Sequence, residues 1–135
     1  MKKLLLAGLT TMTLSGCAFV DAYLMTNFDP NEYQIITGVR LQAQQAKAQC
    51  DDAAVSKTNS VKIESDTQLF VLYSEHIPRN KDLIEASKNL HDIAKGLSDQ
   101  YGKGDKVSPA FCKIKFQSIE TSADRIQDVV ARRPR

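Results

Sequence analysis

The three cysteines and two histidines of this sequence, Cys17, Cys50, Cys112, His76 and His91, are its first candidates for nucleophilic or metal chemistry. Their spacing matches no catalytic or ligand pattern. The two histidines form neither HxxxH nor HExxH, so no metal site is predicted. Gly102-Lys103-Gly104 reads as a turn and lacks the GxxxxGK frame of a phosphate loop, and no GxSxG elbow occurs. The carboxylate pair Asp51-Asp52 reads as solvated charge near a helix end. His91, next to Leu90, reads as a half-exposed residue at the edge of an apolar face. His76 ends a helix, where an imidazolium favours the C-terminus. No catalytic or metal residue is named, and no enzyme is expected. What remains is the cysteines, and their contexts separate them.

Cys17 follows a secretory pattern. Lys2 and Lys3 precede an apolar run from Leu4 to Leu14, the n- and h-regions of an export signal. A membrane-spanning helix needs roughly 20 apolar residues; this run is too short and reads as a signal rather than an anchor. Leu14-Ser15-Gly16-Cys17 resembles the lipobox of bacterial lipoproteins. The resemblance implies cleavage between Gly16 and Cys17, a diacylglycerol on the Cys17 thiol and an N-acyl chain on its new amino group. No other cofactor is implied. Several acyl chains, at about 0.8 kcal/mol per buried CH₂, hold a protein on a membrane far better than one myristoyl chain. An ordinary signal with a chance cysteine is the alternative. Ala18 stands where inner-membrane retention would place an aspartate, so the resemblance implies an outer-membrane, periplasm-facing location.

Removal of residues 1–16 leaves 119 residues, enough for one domain with a modest core. The formal charge of +2 resides in Lys2 and Lys3. The mature chain is therefore near neutral, without a nucleic-acid footprint. With Cys17 lipidated, Cys50 and Cys112 are left as a pair in an oxidising compartment, where a disulfide is the default. Two free buried thiols are the alternative.

Residues 17–28 form the lipidated N-terminus and a short tether, apolar rather than Gly/Ser-rich. Val20, Leu24 and Phe28 recur at helical spacing, consistent with a short helix on the membrane or against the domain. Residues 29–135 are the domain. Asp29-Pro30-Asn31-Glu32 is a helix start with a cap, an N1 proline and a capping-box-like pair. Ile36, Val39, Ala43, Ala46, Cys50 and Ala53 then mark one stripe of a helix over about 30–56. Gly38 interrupts it without evident purpose.

The polar run Ser56–Ser60 is expected to turn the chain. A second helix follows over about 61–77, closed by Pro78. Its run Leu69-Phe70-Val71-Leu72-Tyr73 would equally suit a buried strand. Tyr73–Asn80 reads as a helix-to-helix turn, with a recognition loop as the alternative. Asn80 caps a third helix, about 81–102, with the face Leu83, Ala86, Leu90, Ile93, Ala94 and Leu97, ended by Gly102 and Gly104. Ser108-Pro109 opens a fourth, about 109–131, with the stripe Cys112, Phe116, Ile119, Ala123, Ile126 and Val130. The tail Arg132-Arg133-Pro134-Arg135 is expected to fray, with contact to anionic lipid or to a partner's acidic patch as the alternative.

Four amphipathic helices with short connections predict an all-α, up-down four-helix bundle. In that topology the end of helix one and the start of helix four lie at the same height on neighbouring helices. Cys50 and Cys112 occupy those places, which agrees with a disulfide and was not used to derive the helices.

Three function classes follow. The first is a lipid-anchored, non-enzymatic envelope module that binds another envelope component. Its architecture resembles the small helical pilotin lipoproteins that escort secretins to the outer membrane, with a lipobox, four helices and cysteines in the first and last. No shared motif accompanies that likeness, so no binding groove is carried over. The second is a phage- or mobile-element lipoprotein acting in lysis or superinfection exclusion. Four prolines in a patterned helical chain argue against the proline-rich spanin type. The third is an enzyme with an unfamiliar site, which would need a deep polar pocket holding His76 or His91 beside a carboxylate.

Overall fold

The helix signals resolve into four α-helices in a computed structural model that describes residues 26–135. They are α1 (Pro30–Ala48), α2 (Ala53–Glu75), α3 (Lys81–Gly102) and α4 (Pro109–Ala131). They pack as an up-down bundle in which each helix contacts its neighbours in chain order and α4 closes on α1. The α1–α4 and α2–α3 pairs are the most intimate; the α1–α2 and α3–α4 pairs are looser.

Local chemistry explains most boundaries. Asp29 accepts from the backbone N–H of Asn31 and Glu32, and Pro30 follows it. Ser108 accepts from Phe111 N–H ahead of α4. At the end of α3, Gly104 N–H donates to Tyr101 O and Asp105 N–H to Gln100 O. This paired bonding requires a left-handed residue, and Gly104 supplies it at φ 79°.

The α1–α2 turn corrects two expected boundaries. The first helix stops at Ala48 rather than about 56, and the second begins at Ala53 rather than 61. Asp52 is the reason: its carboxylate accepts from Ala54 and Val55 N–H and starts α2 early. The expected turn, Ser56–Ser60, lies inside α2. Ser56 Oγ donates to the Gln49 carbonyl and Ser60 Oγ to that of Lys57, so neither hydroxyl is left unbonded when buried. Cys50 consequently sits in the turn just after α1, and Ala53 belongs to α2.

The core follows the expected stripes. On α1, Ile36, Val39, Ala43 and Ala46 are buried; on α4, so are Cys112, Phe116, Ile119, Ala123, Ile126 and Val130. Small residues at 43, 46 and 123 leave room for the two backbones to approach. On α3, Leu83, Leu90, Ala94 and Leu97 are buried, while Ala86 and Ile93 are partly so. The inward face of α2 is largely hydroxylic: Ser56, Ser60, Ile63, Thr67, Phe70 and Ser74 recur in steps of four and three. Each full burial of Phe70 or Phe116 contributes on the order of 2–3 kcal/mol, and these two are the largest fully buried side chains.

The chain ends are tied to the bundle base. Phe28 N–H donates to Pro134 O at 2.8 Å, and the Arg135 guanidinium lies 5.3 Å from the Phe28 ring centre. Arg133 is buried. The C-terminal tail is therefore packed rather than frayed.

Candidate functional site

Gly16 and Cys17, the residues expected to be cleaved and lipidated, lie outside the described residues, as does the apolar stretch 18–25. The remaining cysteines meet. Cys50 and Cys112 form a disulfide across a Cα–Cα distance of 5.7 Å, joining the turn after α1 to the first turn of α4. Lys113 and Asp51 form an exposed ion pair beside it, at 3.2 Å.

The opposite end of the bundle holds a buried polar cluster. Glu32, fully buried in the first turn of α1, accepts from Ser74 Oγ and Asn80 Nδ2 on one oxygen and from Arg133 on the other. Arg133 also donates to Asn80 Oδ1, and Asn80 Nδ2 to the Ser74 carbonyl. Four chain segments thus meet around one carboxylate. The cluster changes the expected roles of two residues. Glu32 spends its oxygens here rather than in a capping box. Asn80 stands at the N-cap position of α3, but its side chain makes no cap bond. Sequence patterning offers no signal for this cluster, because lone charged residues are ordinarily solvated.

Beside the cluster, a groove of about 360 Å³ lies between α3 and α4. Its walls include Leu83 and Ala86 from α3 and Ile126 and Val129 from α4. Val129 is 52 % exposed, in contrast to the buried Leu83 and Ile126. Arg79, Lys81 and Arg125 border it, with Asp82 the single acid, and Thr26 lines its lower end. The groove is apolar within and predominantly positive at the rim.

A second surface lies on α2. Leu69 and Leu72 of the continuous apolar run point outward at 51 % and 50 % exposure, whereas Phe70 and Val71 are buried. Val61, also exposed, falls on the same stripe. At 100° per residue the three lie within about 80° of arc, opposite the inward face, and span roughly 16 Å. The Lys62–Asp66 ion pair borders them.

Neither histidine lines the groove. His91 Nδ1 lies 3.1 Å from Thr67 Oγ1 between α3 and α2, and the exposed His76 has its Nδ1 2.9 Å from the Leu72 carbonyl. Among the described residues no group of three His, Cys, Asp or Glu side chains converges as a metal site would require, and no helix is long and apolar enough to cross a membrane. Compared with protein-family models, curated proteins and solved structures, the chain matches none.

Proposed function

We propose that this protein is a lipid-anchored, non-enzymatic module of the bacterial cell envelope that binds another envelope protein through the outer face of α2. The lipobox Leu14–Cys17 supports the anchor and, through Ala18, a periplasm-facing place on the outer membrane. The observation that carries the binding role is the stripe Val61, Leu69 and Leu72, three large apolar side chains about half exposed on one face. Scattered exposed leucines are ordinary, but an aligned set bordered by charge is the composition of an interface core and rim. Ser74 ties the end of α2 into the buried Glu32 cluster, which limits the ordering entropy lost on binding. A phage- or mobile-element lipoprotein would share the anchor; no feature of the bundle favours it.

The test is recovery of the lipidated, tagged protein from cross-linked membranes of its host in mild detergent. A near-stoichiometric envelope protein is expected, lost with Leu69→Ser/Leu72→Ser and lost again when Cys17→Ala prevents anchoring. Recovery of the protein alone would overturn the reading.

A further inference from the structure

The chain itself arrives at the lower end of the α3–α4 groove. Traced backwards from Asp29, the backbone crosses the base of the bundle. Phe28 N–H bonds Pro134 O beyond the end of α4, and Thr26 Oγ1 donates to the Pro78 carbonyl in the α2–α3 turn at 2.8 Å. Thr26 has by then become part of the groove wall. We propose that the groove is the seat of this chain's own residues Phe19–Met25, which immediately precede Thr26.

Four observations carry the assignment. The first is position, since the segment begins where the groove begins. The second is length. From Arg133 to Arg125 the α4 wall rises roughly 12 Å, and seven residues span about 10 Å as a helix or up to roughly 23 Å extended.

The third is polarity: Phe19, Val20, Ala22, Tyr23, Leu24 and Met25 are apolar or aromatic, and the groove presents Leu83, Ala86, Ile126 and Val129. The fourth is charge. Asp21 is the one charged residue of the segment, opposite in sign to Arg125 on the groove wall. Arg125 has no ion-pair partner among the described residues.

A tethered segment also has an advantage over any free competitor. Its effective concentration at the groove reaches the millimolar range. Docking brings Cys17, two residues before Phe19, alongside α3 and α4 part-way up the bundle. A lipid on that cysteine then draws the α3–α4 face towards the bilayer, instead of leaving the domain on a long leash. The α2 stripe plays no part in this inference.

The experiment is photo-cross-linking of the full-length protein in host membranes, with benzoylphenylalanine replacing Val129. Leu41, exposed on α1, serves as the control position. An intramolecular adduct is expected as the main product, localised by Asp-N digestion and fragmentation to residues 19–25. It should be lost in Val20→Ser/Leu24→Ser and absent from position 41. Adducts to lipid, to a second copy, to another protein or to residues 26–28 alone would overturn the assignment. So would the lack of any adduct in a protein whose circular dichroism is unchanged. A probe at Ala86, on the facing wall, must give the same adduct if position 129 disturbs folding. Partner loss with the α2 variants reports on the other surface and leaves this outcome untouched.

Discussion

The Glu32 carboxylate and the Arg133 guanidinium, 101 residues apart in the chain, form an ion pair inside the base of the bundle, with side-chain exposures of 0 % and 6 %. Two charges removed from water cost several kcal/mol each, and their attraction offsets this only when every remaining polar site is filled. Ser74 and Asn80 fill those sites. Removing one partner leaves an uncompensated buried charge. Glu32→Ala and Arg133→Ala are each expected to lose about 3–5 kcal/mol in urea unfolding. The double replacement Glu32→Leu/Arg133→Met should recover a good part of that loss. If the double variant is as unstable as the sum of the single ones, the pair is not coupled as described.

The disulfide closes a loop with a sequence separation of 62. In the chain-entropy model that contributes about 4 kcal/mol, a large share of the 5–15 kcal/mol typical of a domain. Cys50→Ser is expected to lower the melting temperature by roughly 10 °C or more, and reduction of the wild-type protein should do the same. An unchanged melting curve after reduction would show that the link adds nothing.

Two glycines should respond in opposite directions to alanine. A Cβ at Gly38 meets nothing within 4 Å, so Gly38→Ala gains the helix propensity of alanine, about 1 kcal/mol. Gly104 sits at φ 79° in the turn closing α3, where a Cβ is strained. Gly104→Ala is expected to lose about 1 kcal/mol. Denaturation midpoints of the two variants on either side of wild type would bear this out.

On the surface of α3, the hydrogen bond from Lys95, with its charge, holds the Asp99 carboxyl below the ordinary carboxylate range. The bonus from this pair is therefore present above the usual carboxylate pKa and is lost as pH falls through the depressed value. The pair is exposed, so the effect belongs in a titration rather than a melting curve. Carboxyl-carbon NMR should place Asp99 below the ordinary aspartate range, and Lys95→Gln should raise it.

The stripes of α1, α3 and α4 are legible because their inward residues are hydrocarbon at steps of three and four. The face of α2 follows the same steps, but Ser56, Ser60, Thr67 and Ser74 are four of its seven buried residues. A hydroxyl that bonds a carbonyl of its own helix, as Thr67 does to Ile63, can be buried at little cost. Reading such residues as polar hides the period and turns a helix start into a loop. Asp52, two residues after Cys50, was the available signal for the true boundary.

The helix count, three of the four apolar faces, the caps at Asp29 and Ser108 and the pairing of Cys50 with Cys112 were determined by the sequence alone. Each depends on hydrogen bonds or periodicities within a few residues, or on topology that short connections force. The Glu32–Arg133 cluster, the packed C-terminus, the diversion of the Asn80 side chain and the open α3–α4 groove were decided only in three dimensions. Burial of a charge is favourable only when distant segments deliver its partners together. The width of a groove depends on how all four helices settle against one another, and no local pattern encodes either.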